Sequence, residues 1–366
     1  MKVGLGLYRQ MLSDEHFRFA RQLGVSHVVA HLEDYFSAKP QLSSGETAGW
    51  GRAGTSNWSY DTLRDLIASM ERHDLELAAI ENLPVAGWSD ILLDGPQKQA
   101  QMEGLKQLVR DAGRAGVPCI GYNFSLAGVW GWSRGPFARG GAMSVGFDID
   151  AIDPNEPIPD GMVWNMVYRD GEPGKVVAPV SRDELWQRYA WFLDELLPVA
   201  EEAGVRLAAH PDDPPMDQLR GTARLINWPG GYERAFGLNP SPANAAELCL
   251  GSVQEMGGDD VYRLTAECAA SDRIGYIHFR NVRGSVPKYH EVFLDEGDID
   301  MARIVRILAG HGFEGVLIPD HTPELVCQAP WHAGMAYAVG YMKALIAEVM
   351  ANPDCWERPI ETEAAA

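Results

Sequence analysis

A regular alternation of short apolar runs with segments of helical periodicity constrains the fold of this chain more than any other feature. The apolar runs are expected to form eight strands, at residues 3–7, 27–32, 75–80, 119–123, 205–210, 247–250, 274–279 and 316–319. Helical segments such as residues 14–23 and 60–72 separate them. Eight strands that alternate with helices predict an α/β fold of the (β/α)8 or TIM barrel type. A doubly wound open sheet is the alternative, but no GxGxxG motif follows the first strand.

The domain organisation is predicted to be simple. One barrel domain spans residues 1–350, and a loose C-terminal tail follows at residues 351–366. A stretch rich in Gly and Pro at residues 133–180 interrupts the alternation after the fourth strand. It is too long for an ordinary connection, and insertions of this kind are usually lids or binding segments. Ser181 is placed to cap the helix that resumes the pattern.

Composition excludes several classes of function. Lys and Arg number 31 and Asp and Glu 51, so the net charge is −20. Neither nucleic acid nor an anionic membrane surface is expected as a partner, since both select a basic face. No apolar stretch approaches the ~18 residues of a membrane span, and the N-terminus lacks the apolar core of a secretory signal. Five cysteines without a CxxC pairing fit a reducing compartment, so a cytoplasmic location is expected.

Side chains that bind metal ions fall at the ends of four consecutive predicted strands. Strand five ends in His210, strand six near Cys249, strand seven holds His278 and strand eight ends before Asp320. The C-terminal ends of barrel strands meet at one face, where active sites of such barrels lie. Imidazole, thiolate and carboxylate together suit Mn²⁺, Fe²⁺, Co²⁺, Ni²⁺ or Zn²⁺ better than Ca²⁺. Each residue alone has an ordinary structural reading, and their joint placement favours a metal site.

Several separate motifs, occurring in one order, resemble the mannonate dehydratase family. They are CIGYNF at 119–124, HPDDPP at 210–215, LCLGS at 248–252, IHFRNVRG at 277–284, EGDIDM at 296–301 and PDH at 319–321. The resemblance covers residues 75–350. It implies a barrel related to the xylose-isomerase-like barrels and a divalent metal, commonly Mn²⁺. It also implies a lyase of hexuronate catabolism, a hydro-lyase that converts D-mannonate to 2-keto-3-deoxy-D-gluconate and water.

The resemblance assigns roles to individual residues. It implies the same four metal ligands that strand placement favours, namely His210, Cys249, His278 and Asp320, and it makes His321 a catalytic acid/base. The chemistry fits these groups, because the proton next to a carboxylate is weakly acidic. A metal that chelates the carboxylate and the 2-hydroxyl would stabilise the charge that develops, and a general acid must protonate the departing 3-hydroxyl.

The chain departs from the family pattern in three places. The opening MKVGLGLYRQ and the segment 26–58 differ from the usual sequence. In the segment PWHAGMAYAVGYM, His332 takes the position of a Tyr that is regarded as catalytic in the family, and Tyr337 takes that of an Arg. Either His332 replaces the Tyr as an acid/base with a pKa nearer neutrality, or the reaction differs. A divergent member is therefore expected, with His321, His332 and Tyr337 as its candidate catalytic residues.

Substrate-binding residues are predicted from the chemistry of a sugar acid. Arg280 and Arg283 flank the end of strand seven, and a guanidinium group can bind a carboxylate through two hydrogen bonds. Asn123 and Asn281 are expected to hold sugar hydroxyls, and His290 to contact the substrate. For the two arginines and His290, a surface role is the competing interpretation.

Two other classes of function stay open at this level. A metal-dependent sugar isomerase or epimerase would also begin by moving a proton next to a metal-bound oxygen, and it would leave the formula of the substrate unchanged. A non-catalytic protein would bind metal or sugar acid without turnover. In every case the expected partner is a small sugar acid, and a homo-oligomer such as a dimer is compatible with the sequence.

Overall fold

A closed barrel of eight parallel strands forms the centre of the computed structural model, which describes residues 1–35, 51–54 and 58–357. The strands are β1 (Lys2–Leu7), β2 (His27–His31), β3 (Glu76–Glu81), β4 (Cys119–Tyr122), β5 (Arg206–Ala209), β6 (Asn244–Cys249), β7 (Ile274–His278) and β8 (Val316–Ile318). Each strand pairs with the next one along the chain, and β8 pairs with β1 to close the ring. The predicted (β/α)8 barrel is therefore confirmed.

Helices surround the barrel. Within the described residues they are α1 (Asp14–Gln22), α2 (Tyr60–Glu71), α3 (Val85–Leu93), α4 (Lys98–Ala115), α5 (Arg182–Ala203), α6 (Gly231–Leu238), α7 (Leu250–Glu255), α8 (Asp260–Ala270), α9 (Met301–Gly310) and α10 (Pro330–Ala351). None of these helices is both long enough and apolar enough to cross a membrane.

Local sequence sets the ends of the longest helices. The predicted N-cap Ser181 is confirmed, because its side chain accepts a hydrogen bond from the backbone N–H of Glu184 and the Glu184 carboxylate accepts one from the N–H of Ser181. This reciprocal arrangement satisfies two N–H groups that the first turn of α5 leaves without a partner. Gly204 ends the same helix with a φ of +69°, a conformation that glycine adopts without a steric penalty.

The observed bounds of β6 differ from the predicted ones. The strand begins at Asn244 and ends at Cys249, whereas the apolar pattern placed it at residues 247–250. Asn and Ala have low strand propensity, so the first half of β6 carries little sequence signal. Parallel pairing imposes the strand there, with Leu207 opposite Asn244 on one side and Ile274 opposite Ala246 on the other.

Part of the predicted insertion has strand structure of its own. The antiparallel hairpin Trp132–Ala138 and Ala142–Asp148 pairs with a second hairpin after β7, Asn281–Ser285 and Lys288–Val292, to give a four-stranded sheet. Shorter sheets join Gly51–Arg52 with Met166–Val167 and Met162–Val163, and Gln218–Leu219 with Thr222–Ala223. The insertion's action as a lid stays a prediction. Residues 358–366 of the predicted tail and residues 36–50 and 55–57 of the segment after β2 lie outside the described part of the chain.

The apolar core of the described residues has three parts, of which the smallest joins Ala138, Ala142, Val292 and Phe293 beside the four-stranded sheet. A large cluster fills the space between the barrel and its helices, and a smaller one inside the barrel includes Val29, Ala79, Ala208, Tyr276 and Ile318. The many alanines of the inner cluster leave space in the barrel interior, where buried polar side chains collect near the C-terminal ends of the strands.

Candidate metal centre and active site

The four predicted metal ligands lie together at the C-terminal end of the barrel. Cys249 and His278 are register partners at the ends of β6 and β7, and His210 follows β5 directly. One donor atom from each of these three residues lies within 4.8 Å of the other two. Asp320 follows β8, and its Oδ2 is 3.4 Å from Nδ1 of His278. Four neighbouring strands thus bring two imidazoles, a thiol and a carboxylate to one point.

Contacts with neighbouring groups decide which imidazole nitrogen is left for a metal ion. Nδ1 of His210 is 2.6 Å from the carbonyl oxygen of Pro211, which leaves Nε2. Nε2 of His278 is 3.1 Å from Glu81 Oε2 and 3.2 Å from Glu247 Oε1. The buried Nδ1 of His278 has no hydrogen bond of normal geometry. A buried nitrogen of this kind beside a thiol and a carboxylate matches the donor set of a divalent transition metal.

Glu81 and Glu247, which the sequence analysis did not single out, lie beneath the candidate ligands. Burial raises the pKa of Glu247 to about 8, with a further contribution from the charge of Glu81. Burial also opposes ionisation of Glu81, but His31 and His278 outweigh it and lower its pKa to about 2. The pKa values of the two carboxyl groups thus shift in opposite directions, and Glu81 is the one favoured as the carboxylate that faces Nε2 of His278. A carboxylate behind a metal-binding histidine fixes the ring and its tautomer.

A glycine makes room for this pair. A Cβ atom at Gly121 of β4 would lie 2.3 Å from Oε2 of Glu247 and 2.2 Å from the hydroxyl oxygen of Tyr276. Both distances are far below van der Waals contact. Gly121 is therefore required by the close approach of the Glu247 carboxylate to the backbone, rather than by its own φ and ψ angles.

Cys249 has the electrostatic surroundings of a thiolate. Burial by itself would raise the pKa of the thiol, but the Arg280 guanidinium and the imidazoles of His210 and His278 outweigh burial and hold the pKa well below its ordinary value. A thiolate is the form of cysteine that binds metal ions. Arg280 is 1% exposed and is absent from the cavity wall, because its guanidinium group contacts buried carboxylates.

His321 lies beside this centre with its ring held on two sides. Nδ1 is 3.1 Å from Glu291 Oε1, and the ring meets the edge of Trp132 at a centroid distance of 5.3 Å. Burial lowers the pKa of His321, but the charges of Asp320 and Glu291 outweigh it and raise the pKa to about 9. The structure thus places an imidazole whose protonated form is favoured by two carboxylates next to a candidate metal ligand, with Nε2 3.5 Å from Asp320 Oδ1.

A cavity of about 680 Å³ opens above these groups. His210, His278, Asp320 and His321 line it, and so does Asn123, whose Nδ2 donates to the carbonyl oxygen of His210 at 3.3 Å. The insertion and the first strands supply much of the remaining wall. These further lining residues are Tyr8, His31, Tyr35, Asn82, Trp132, Arg134, Ser144, Val145 and Trp164.

Two of the predicted substrate-binding residues lie apart from the cavity wall. Asn281 is buried, and its Nδ2 donates to the carbonyl oxygens of Leu294 and Ile299. Its hydrogen bonds shape the loop before α9. Arg283 is exposed, with Nη1 3.5 Å from Glu296 Oε1. The structure therefore does not bring these two side chains together with His321.

Three more candidates are placed elsewhere on the same end of the barrel. The ring of His290 stacks on Phe137 at a centroid distance of 4.2 Å. His332 packs against Phe19 of α1 at 4.7 Å, because α10 begins earlier than predicted and its first turn faces α1. Tyr337 is 36% exposed. None of the three is among the residues that line the cavity.

Comparisons with known proteins agree with the motifs and with the geometry. A family model described as D-mannonate dehydratase (UxuA) matches residues 51–351. The mannonate dehydratase of Streptococcus suis is 32% identical over 276 residues, which cover 72% of this chain and 74% of that protein. The mannonate dehydratase of Streptococcus equi subsp. zooepidemicus is 30% identical over 310 residues, covering 81% and 83%.

Solved structures support the same relationship. The crystal structure of mannonate dehydratase from Streptococcus suis serotype 2 superposes with a TM-score of 0.75 at 26% identity, and the match covers 100% of this chain and 98% of that one. A xylose isomerase domain protein from Planctomyces limnophilus superposes with a TM-score of 0.57 at 12% identity, covering 96% and 98%. The second likeness concerns the barrel fold alone.

Proposed function

The chain belongs to the mannonate dehydratase family, and from this premise we propose that it is a metal-dependent hydro-lyase that converts D-mannonate to 2-keto-3-deoxy-D-gluconate and water. One observation carries the proposal beyond family membership. Donors of the four candidate ligands converge next to His321, at the floor of a cavity large enough for a six-carbon acid. Relatives named mannonate dehydratase support the choice of substrate.

The metal would be held by Nε2 of His210, Sγ of Cys249, Nδ1 of His278 and Oδ2 of Asp320. We propose Mn²⁺, the ion that the family resemblance implies, while the thiolate also suits Fe²⁺, Co²⁺, Ni²⁺ or Zn²⁺. When bound, a divalent ion acts as a Lewis acid that polarises the substrate carboxylate and makes the neighbouring C–H more acidic. Glu81 and Glu247 keep His278 in the orientation that this role requires.

His321 is proposed as the proton-transfer residue. Dehydration removes the proton from C2, breaks the C3–O bond and adds a proton to the departing hydroxyl, and the resulting enol becomes the 2-keto acid. Since Glu291 holds Nδ1 of His321 at 3.1 Å, whereas Asp320 Oδ1 is 3.5 Å from Nε2, Nε2 is the nitrogen proposed to exchange a proton with the substrate. Trp132 packs against the ring and limits its rotation.

Arg134 is proposed to attract and bind the anionic substrate. The cavity wall carries the acidic residues Glu81, Glu247, Asp213, Glu291, Asp320 and Glu324, and Arg134 is the only Lys or Arg among the lining residues that the structure describes. Its Nη2 lies 2.7 Å from Glu324 Oε1. A guanidinium group has five N–H donors, so it can bind a carboxylate while it keeps this ion pair. Asn123 remains a candidate for a sugar hydroxyl.

The decisive experiment is a product assay. The purified chain is stripped of metal, reloaded with Mn²⁺ and incubated with D-mannonate and, in parallel, with other aldonates. We expect a 2-keto-3-deoxy acid from D-mannonate, with the mass of one water lost, and no product when a chelator is present. An isomer of unchanged formula would instead indicate an isomerase or epimerase. Binding of metal and aldonate without turnover would indicate a binding protein, and either result would overturn the proposal.

Three finer expectations accompany the proposal. A cytoplasmic location and the absence of nucleic-acid or membrane partners follow from the sequence arguments above, and a homo-oligomer such as a dimer is compatible with them; all three stay predictions. The size of the particle in solution, measured by light scattering at several protein concentrations, tests the last of them. A monomer at all concentrations would contradict a homo-oligomer.

A further inference from the structure

We infer that Arg280 is a positioning residue that fixes two metal ligands and the hydrogen-bond partner of His321, and that it does not bind the substrate. The inference rests on the proposed function, because it concerns residues that would hold the metal ion. It changes the role that the sequence suggests for Arg280, whose guanidinium group was expected to bind the substrate carboxylate.

The first branch of the Arg280 contacts leads to Cys249. Nη2 of Arg280 lies 3.2 Å from Cys249 Sγ, 2.7 Å from Asp213 Oδ2 and 2.8 Å from Ser252 Oγ. Ser252 Oγ in turn lies 3.2 Å from the same sulfur. The sulfur therefore accepts hydrogen bonds from Nη2 of Arg280 and, at 3.5 Å, from the backbone N–H of Ser252. The single proton of the Ser252 hydroxyl can go either to this sulfur or to Oδ2 of Asp213, which is 3.0 Å away and also binds Arg280.

The second branch leads to the proton-transfer residue. Nη1 of Arg280 forms an ion pair with Oε1 of Glu291, and the same oxygen is the partner of His321 Nδ1. Nε of Arg280 is 3.5 Å from Oδ2 of Asp320. One planar group thus connects the Cys249 ligand, the Asp320 ligand and the carboxylate that orients His321.

Only an arginine can make this set of contacts. Each of its three guanidinium nitrogens lies within 3.5 Å of a side-chain acceptor, whereas the ammonium of a lysine is a single point that cannot span them. The same contacts argue against substrate binding, since the side chain is 1% exposed and its donors face protein groups. The guanidinium group is already paired with buried carboxylates and does not line the cavity, so it is not available to bind the carboxylate of the substrate.

A second observation supports a site built around this side chain. Gly251, in the first turn of α7, has its Cα so close to Arg280 that a Cβ would lie 2.7 Å from Nε and 3.1 Å from Cζ. Gly251 has no positive φ, so its backbone conformation does not require a glycine. A glycine is required here because a side chain would occupy the space of the guanidinium group.

The test measures metal binding rather than turnover. Co²⁺ is titrated into the full-length chain, and its affinity and the sulfur-to-cobalt charge-transfer absorption are recorded for Arg280→Met, Arg280→Lys and Gly251→Ala. Arg263→Met serves as the matched control, because Arg263 is exposed on α8 and pairs with Asp260 and Glu267. Circular dichroism and thermal unfolding establish which variants are folded.

We expect Arg280→Met to weaken Co²⁺ binding by about 10- to 100-fold, the usual effect of removing a group that orients metal ligands, and to change the charge-transfer band. Arg280→Lys should recover part of the affinity, because it restores the charge without the planar geometry. Gly251→Ala should weaken binding although no charge changes, since it displaces the guanidinium group. Arg263→Met should match the wild type.

Specific outcomes would overturn the inference. If Arg280 binds the substrate instead, the Arg280 variants will have a raised KM for D-mannonate, while the Co²⁺ affinity and spectrum of all three variants stay at the wild-type values. That result would refute the positioning role. If Arg280→Met does not fold, wild-type values for both Arg280→Lys and Gly251→Ala are enough to reject the positioning role. If the wild type itself binds no Co²⁺ at the thiolate, the proposed metal centre fails, and this inference fails with it for a separately identifiable reason.

Discussion

Oε2 of Glu81 lies 3.1 Å from Nε2 of His278, although 197 positions separate the two residues in the chain. The contact joins the end of β3 to the end of β7 across the barrel, and both side chains are buried. His278 thereby presents its other nitrogen toward Cys249 and Asp320. The carboxylate therefore acts on the metal centre without being one of its four donors.

Removal of this carboxylate should weaken metal binding. We expect Glu81→Leu to raise the dissociation constant for Mn²⁺ by about 10- to 100-fold, because His278 loses the partner that fixes its orientation. Glu81→Gln keeps an oxygen that can accept a hydrogen bond from Nε2, so its loss should be smaller. Competition with a metal-sensitive dye measures both constants. Equal affinities for Glu81→Leu and the wild type would exclude an orienting role.

The space at Gly121 gives a prediction about stability. Gly121→Ala should lower the free energy of unfolding by about 1–3 kcal/mol, the usual cost of overpacking, because the new Cβ meets the Glu247 carboxylate and the Tyr276 hydroxyl. Gly104→Ala is the matched control, since Gly104 lies in the exposed part of α4 and a Cβ added there would have no neighbour within 4 Å. That change should stabilise the protein by about 0.5–1 kcal/mol.

Urea unfolding, followed by circular dichroism, compares these two variants with the wild type. Both changes add one methyl group to a glycine in regular secondary structure. The expected changes in the free energy of unfolding nevertheless have opposite signs, which isolates the effect of the contacts at Gly121. If Gly121→Ala stabilised the chain as Gly104→Ala is expected to do, the tight contact with Glu247 would be refuted.

The sequence predicts most of the barrel and the ligand set for a simple physical reason. Buried parallel strands are short apolar runs, and active-site residues follow such runs at their C-terminal ends. His210, Cys249, His278 and Asp320 all occupy such positions and are chemically distinctive. Glu81 occupies one as well, directly after the predicted third strand, but a single Glu after a strand has no distinctive chemistry and was not singled out.

Other features depend on contacts between distant parts of the chain. Glu247 begins the predicted sixth strand, and only its contact with Nε2 of His278 on the neighbouring strand shows its relation to the metal ligands. Lys288 pairs with Asp148 in the four-stranded sheet, and the local sequence around either residue does not predict that pairing. The burial of Arg280 likewise follows from Asp213, which follows β5, and from Glu291, which lies in the strand Lys288–Val292.

Substitution of the proton-transfer residue should separate turnover from metal binding. We expect His321→Asn to bind Mn²⁺ as the wild type does and to lose turnover by about 10²- to 10⁴-fold, the usual contribution of a general acid or base. His332→Asn should lose much less, because His332 packs against Phe19 outside the cavity wall. Initial rates of 2-keto-3-deoxy acid formation measure the loss of turnover in each of the two variants. An unchanged rate for His321→Asn would remove it from the mechanism.

Removal of the sulfur donor should release the metal. Cys249→Ala deletes one of the four ligands, so the purified variant should contain less metal and lose the charge-transfer absorption with Co²⁺. Cys268→Ala is the control for loss of a buried thiol, since Cys268 lies on α8 and is 3% exposed. Metal analysis of both proteins after dialysis provides the measurement. A folded Cys249→Ala variant with full metal content would refute the ligand assignment.

The charge of Arg134 should affect substrate binding and leave the metal site alone. We expect Arg134→Met to raise KM for D-mannonate by about tenfold, the low end of the range for a hydrogen bond to a charged group, because the side chain is partly exposed. Arg139→Met is the matched control, since Arg139 lies on the same hairpin, pairs with Asp295 and does not line the cavity. The effect at Arg134 should shrink as salt is added, because ions screen exposed charges.

Glu324→Gln should lower KM, since it leaves more of the guanidinium group to the substrate. Equal KM values for Arg134→Met and Arg139→Met would show that the anionic end of the substrate binds elsewhere in the cavity.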